Sequence, residues 1–185
     1  MEANWVLPAA LAIALLGLGS SVGSVSVMIS RQTLEPGAEI VRDGLPAVYR
    51  AEIGVQEAAG NNDGPRVGQY LHYCGLGEGY EWCAAFVSWC YGQAGYTEPR
   101  NAWAAALFPS QNIIWTNAPR LRNQEPKAGD VFGIYVASKK RIAHCGFVDE
   151  WDGKWVITVE GNVNNAVVRK RRWIKTIRAV SRWAN

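Results

Sequence analysis

The sequence predicts an α+β domain, helices first and an antiparallel sheet afterwards, with an apolar segment ahead of both. Three observations predict it. Apolar residues recur at helical spacing through roughly residues 45–95. Beyond residue 130 the chain changes to short runs rich in β-branched and aromatic residues, separated by turn residues. Residues 3–30 carry no charge at all. The 185 residues are 49% hydrophobic and 19% charged, the composition of one folded domain and not of a disordered chain.

The N-terminal segment comes first. WVLPAALAIALLGLG is strongly apolar, and SSVGSVSVMIS after it is weaker and rich in Gly and Ser. Taken together, residues 1–30 are long enough to cross a bilayer as a helix. A cleaved export signal and a buried core helix are the alternatives. The leading MEAN holds an acid and no Lys or Arg, which is poor for a signal, and no polar face exists for a buried helix to show to water. A membrane anchor is therefore the expectation, with small residues available to pack against partner helices in a membrane or a virion. Arg31, Arg42 and Arg50 follow it, a bias toward keeping the rest of the chain on the cytoplasmic side. The stretch RQTLEPGAEIVRDGLP, with two prolines and two glycines, reads as a linker over residues 31–45, leaving a compact domain at 46–185.

Within that domain Val48, Ala51, Val55 and Ala58 predict a first helix stopped by Gly60, and NNDGP a turn. Val67, Tyr70, Leu71 and Cys74 predict a second, ended by Gly75. The third opens at Cys83 in EWCAAFVSWC and ends near Gly95; its apolar character all round predicts burial. VFGIYVA, IAHCGFVDEW, KWVITVE and AVVRKRRWI are the strands.

Charge is uneven. Residues 169–183 hold seven of the 19 Lys and Arg, leaving twelve basic against sixteen acidic residues upstream. Such a basic run could meet anionic wall polymers, lipid head groups or nucleic acid. Alternating cations on a strand more commonly mark a solvated edge, and no nucleic-acid partner is expected.

The chemistry centres on Cys83. A thiol is a nucleophile only as thiolate, and a helix start, with unpaired N–H groups and the positive end of the dipole, favours the anion. Of the two histidines, His72 lies mid-helix among large apolar residues, whereas His144 opens a strand from which it can be aimed at a neighbouring helix. VITVEGNVNN then offers Glu160 and Asn162 at i, i+2, a spacing that puts both on one strand face to orient an imidazole. Taken alone, Cys83 is as readily an inert buried thiol. Cys74, Cys90 and Cys145 read as core. No CxxC pair is present and histidines are too few for a zinc site, so no cofactor is expected.

NNDGPRVGQYL, YEWCAAFVSWCYGQAG, PKAGDVFGIY, AHCGFV and VEGN, in this order, resemble the CHAP family of cysteine- and histidine-dependent amidohydrolases and peptidases. The resemblance covers roughly residues 50–165. It implies a papain-like cysteine peptidase fold, a nucleophile at Cys83, a general base at His144, orienting groups at Glu160 and Asn162, and bacterial peptidoglycan as substrate. An endopeptidase or amidase joined to an apolar segment suits an enzyme held to a membrane and acting in the periplasm or at the cell wall, or a phage lysis or virion-borne enzyme. A catalytically silent wall-binding or assembly module on the same fold, and a cysteine protease acting on proteins, are the alternatives. Three departures stand out. No Gln lies close before the nucleophile to complete an oxyanion site, Gln69 being too distant. Cys145 follows the histidine where the family leads one to expect an aliphatic residue. Some members bind calcium near the site, for which Asn61, Asn62 and Asp63 offer oxygens, but NNDG is more commonly a plain turn.

Overall fold

The chain divides into two units, Met1–Thr33 and Leu34–Asn185. A computed structural model describes residues 38–118 and 124–184, all within the second unit. The expected anchor at residues 1–30 lies outside the described residues. Among the described residues no helix is long and apolar enough to cross a membrane.

Three α-helices, α1 (Ala38–Ala51), α2 (Pro65–Tyr73) and α3 (Cys83–Gln93), precede six strands: β1 (Ile113–Thr116), β2 (Val131–Val136), β3 (Arg141–Trp151), β4 (Trp155–Val163), β5 (Ala166–Trp173) and β6 (Ala179–Ser181). The strands form one antiparallel sheet in the order β1-β6-β2-β3-β4-β5. The fold is α+β, as the sequence predicts. Short β1 and β6, which no period-2 pattern announces, extend the sheet on the far side of β2.

Two boundaries differ from expectation, both at α1. The helix begins at Ala38, inside the stretch 31–45 that composition marks as linker, and it stops at Ala51 although Val55 and Ala58 continue the helical spacing. The reason is pairing with the end of β5. Gly54 N–H donates to Val167 O (2.9 Å), Val167 N–H to Val55 O (2.8 Å) and Glu57 N–H to Asn165 O (2.8 Å). Gly54, at φ +96°, makes the turn that an L side chain resists. Tertiary hydrogen bonds outweigh the weak preference of a few residues for helix.

α3 is the centre of the core. Every residue from Cys83 to Tyr91 is buried, because α1 and α2 cover it on one side and β3 and β4 on the other. Phe147 on β3 stacks on Tyr49 of α1 (4.4 Å between centroids) and meets Phe86 of α3 edge-on (5.8 Å). Tyr70 of α2 packs against Phe86 (5.5 Å) and Trp89 (5.2 Å). Burying each such side chain contributes about 1.5–3 kcal/mol, so α3 is held rigidly. The opposite face of the sheet carries a second cluster that includes Trp115, Phe132, Val148 and Val180.

Candidate active site

α3 starts where the Gly-rich loop ends, and the start is pinned from three directions. Trp82, the residue before the helix, is fully buried and donates its indole N–H to Glu57 Oε1 (2.7 Å). Glu57 Oε2 accepts the Asn62 N–H (2.8 Å), which ties the NNDG turn to the helix start. On β4, Gly161 lets the sheet close against α3: a Cβ there would lie 2.7 Å from the Trp82 ring and 2.9 Å from Phe86. No side chain caps α3 and no acid occupies its first turn. Its first N–H groups and the positive dipole end are thus left to favour an anion at Cys83.

His144 is delivered by β3. Opposite β2 the register steps, Ile134 pairing with His144 and Tyr135 with Ile142, so Ala143 is an extra residue. Such a bulge re-aims the side chains beside it. The ring stands edge-on to Phe132 (6.2 Å) and is 19% exposed. Its Nε2 lies 2.8 Å from Glu160 Oε2 and donates to it, since an ionised carboxylate only accepts. With Nε2 engaged there, the nitrogen left for its hydrogen bond with the Cys83 thiol is Nδ1.

Glu160 is completely buried on β4. Arg172 of β5 grips it with a two-pronged fork, Nε to Oε1 and Nη2 to Oε2, both 2.5 Å, and Thr158 Oγ1 donates to Oε1 as well. Sequence reasoning misses Arg172, because it sits in a basic run whose alternation looks like a solvated edge. The same run holds a second inward contact, Arg169 Nε to the buried Asp149 (2.9 Å). The solvated-edge expectation for this strip fails at these two positions and at Arg182, whose Nε donates to the buried Asp130 (2.9 Å).

Asn162 is not part of this cluster. The β4–β5 register shifts between Glu160 and Val163, and Asn162 adopts φ +59°. This left-handed residue in a bulge breaks the i, i+2 alternation, so the side chain leaves Glu160's face. Its Nδ2 donates instead to Asn62 Oδ1 (3.2 Å) and Glu81 Oε2 (3.1 Å). It braces the loops that flank the helix start. His72 is exposed in the last turn of α2.

The electrostatics follow from the contacts. At Glu160 burial favours the neutral acid, but Arg172, His144 and Thr158 outweigh it and hold the carboxyl down at about 2. At His144 burial favours the neutral ring, yet the bonds to Cys83 and Glu160 raise the imidazolium to about 9. Cys83 is pushed well below the usual thiol range, first by a hydrogen bond from the Cys145 thiol, against burial, and then by His144 and the Cys145 backbone N–H. Cys74, Cys90 and Cys145 all move the other way, chiefly through burial. The four cysteines are free thiols, and Cys83 alone among them favours the thiolate. These contacts favour a thiolate–imidazolium pair backed by a carboxylate.

A cleft of about 390 Å³ opens beside the loop leading into α3, lined by Leu76, Tyr80, Glu81, Arg100 and Trp103 among others. Tyr80 and Trp103 are more than half exposed there (57% and 55%). Among the described residues no three His, Cys, Asp or Glu side chains converge on a metal position. In the NNDG turn Asn62 Oδ1 accepts from Asn162 and Asp63 Oδ1 from the Ala59 N–H.

The CHAP domain model matches residues 75–162. That stretch of the chain is similar to the CHAP domain. The match encloses Cys83, His144, Glu160 and Asn162 and leaves Arg172 outside it. Among solved structures, similar chains include Ly7917 (15% identity, TM-score 0.45, covering 76% of this chain and 61% of that one) and Ly7917 with the hydrolyzing product of MDP (16%, 0.42, 76% and 62%). PlyC is also similar (12% identity, TM-score 0.45, covering 79% of this chain and 37% of that one). The chain thus spans under two thirds of each of these neighbours. No curated protein matches it.

Proposed function

We propose that this chain is a peptidoglycan hydrolase that cuts an amide bond of the bacterial cell wall, as an endopeptidase or amidase, with Cys83 as nucleophile. The observation that carries the reading is the hydrogen-bonded chain from Cys83 through His144 to Glu160 and Arg172 at the uncapped start of a buried helix. The Cys83 thiolate attacks the scissile carbonyl carbon, and charge builds on its oxygen. The Cys83 backbone N–H, one of the free donors of the first helical turn, faces that oxyanion. His144, held protonated, gives its proton to the leaving amine as the C–N bond breaks and a thioester forms. The imidazole, now neutral, takes a proton from water; hydroxide attacks the thioester and the thiolate leaves. Glu160 keeps the ring's orientation and stabilises each imidazolium. No step draws on a metal.

The aromatic walls of the cleft, Tyr80 and Trp103, offer faces on which sugar or peptide groups of a wall strand can lie. On this reading the apolar segment at residues 1–30 anchors the enzyme in a membrane, facing the periplasm or wall. That combination suits a phage lysis or virion-borne enzyme. Zymography on purified cell wall tests the proposal: the full-length chain clears the wall and Cys83→Ala does not. Mass analysis of released fragments then assigns the bond. Equal clearing by both proteins removes Cys83 as the nucleophile; no clearing by either overturns the hydrolase reading and leaves a silent wall-binding module; clearing confined to protein substrates makes it a protease.

A further inference from the structure

Cys145 makes and breaks no bond in the proposed turnover, yet it is the thiol placed against the nucleophile. Packing puts it there. Phe86 on α3 meets Phe147 on β3 at 5.8 Å. One turn back along α3 the same helix face carries Cys83, and two residues back along β3 the same strand face carries Cys145. Both are buried in one core cluster, 4% and 0% exposed. Of all its neighbours Cys145 does most to favour the anion at Cys83, while burial and then Cys83 disfavour the anion at Cys145. The other two thiols are engaged elsewhere. Cys74 lies by Ser88 and Arg100, and Cys90 by Glu52 and Arg66.

We propose that Cys83 and Cys145 form a site of reversible oxidation, in which Cys145 resolves the oxidised nucleophile as an intramolecular disulfide. The oxidant is a peroxide. The Cys83 thiolate attacks one oxygen of hydrogen peroxide and the O–O bond breaks. The departing oxygen takes a proton and leaves as water, and Cys83 becomes a sulfenic acid. The Cys145 sulfur, giving up its proton, attacks the sulfenic sulfur. The S–O bond breaks, and the departing hydroxide leaves with that proton as a second water. Two thiols are oxidised to one disulfide and one peroxide is reduced to two waters. A nucleophile with no thiol at hand passes on to the irreversible sulfinic acid. With Cys145 in contact the intermediate is intercepted, and a dithiol restores the enzyme.

The test treats the full-length protein with graded hydrogen peroxide, then compares peptide masses with wall-clearing activity before and after dithiothreitol. In the wild type a linked pair of the Cys83 and Cys145 peptides, lighter by two hydrogens, grows as activity falls, and both return to their untreated levels on reduction. In Cys145→Val the same exposure adds two oxygens to Cys83, and dithiothreitol restores none of the lost activity. Cys145→Ser serves as a second variant should valine impair folding, and the wild-type masses decide the matter without either. Sulfinic acid at Cys83 of the wild type with no linked peptide, or a link to Cys74 or Cys90, overturns the proposal. The inference shares the Cys83 site with the proposed hydrolase, but the masses do not depend on turnover: a chain that forms the link and clears no wall refutes only the hydrolase reading.

Discussion

Replacing Arg172 with methionine removes the partner that keeps Glu160 ionised in the dry interior. Two routes give the magnitude. Glu160 is fully buried and the Arg172 side chain is 19% exposed, so deleting the cation strands a buried charge, a loss of about 3–5 kcal/mol. Independently, the Glu160 carboxyl lies at about 2 against an ordinary 4.5, and at about 1.4 kcal/mol per pH unit that gap corresponds to about 3 kcal/mol. The sign follows from a depressed folded value. The contribution is complete above pH 4.5 and is lost as pH falls toward 2. Not all of it belongs to Arg172, since His144 and Thr158 also hold Glu160, so about 3 kcal/mol is the figure to test. For a domain of this size that is a fall of roughly 6–12 °C in Tm at neutral pH. Acid unfolding should also begin at higher pH, because the carboxyl, freed of the fork, takes up its proton sooner. Arg172→Lys keeps the charge without the fork and should fall between. Calorimetry of the full-length chain across pH 2–8 reads all of this. Adding Glu160→Gln to Arg172→Met should cost less than the two separate losses combined, because the second change removes the stranded charge. A methionine variant that melts within about 1 °C of wild type, with an unmoved acid transition, refutes the dependence of Glu160 on Arg172.

Other outcomes follow from the same geometry. His144→Ala should lower wall clearing by about 10³-fold or more while the domain stays folded, and Glu160→Gln should leave measurable activity, an orienting group being less essential than the base; activity lost through His72→Ala instead would reverse the assignment. Iodoacetamide should alkylate Cys83 before Cys74, Cys90 or Cys145 in the folded protein, and a peptide map showing Cys90 first would remove Cys83 as the thiolate. With His144 raised to about 9, kcat/KM should hold through neutral pH and decline above about 9 as the imidazolium loses its proton; a decline centred near 6.5 would mean an imidazole without these partners. Gly161→Ala should destabilise by about 1–3 kcal/mol, since its methyl lands 2.7 Å from Trp82, and wild-type melting would show that β4 and α3 are less closely packed.

What could be read from the sequence divides along a physical line. Cys83, His144 and Glu160 stand out because their chemistry depends on local position: a helix start, a strand start and a strand end, each marked by Gly-rich or polar punctuation that single-chain patterns reveal. The structure brings these three together. Asn162 obeys the same i, i+2 rule on paper and departs from it because alternation holds only while the ladder is regular. The GNVNN stretch carries left-handed Asn162, Asn164 and Asn165, and the bulge they build turns one side chain out of register. Asparagine tolerates that conformation better than most residues, so the run of asparagines was the available warning. Arg172 fails for a different reason. A buried partner is a property of which strand lies beside which, and no local pattern separates the one arginine that reaches Glu160 from neighbours that face water. Its parity does carry a signal once the β4–β5 hairpin is accepted, since Val168, opposite Glu160, shares its strand face with Lys170 and Arg172. The early stop of α1 belongs to this second kind, because helical spacing through Ala58 yields to hydrogen bonds with β5 more than a hundred residues away. Short-range signals thus locate the groups that react, and long-range pairing decides which groups support them. A variant series on Arg172 and Asn162 therefore probes what the sequence alone leaves open, while one on Cys83 and His144 probes what it already states.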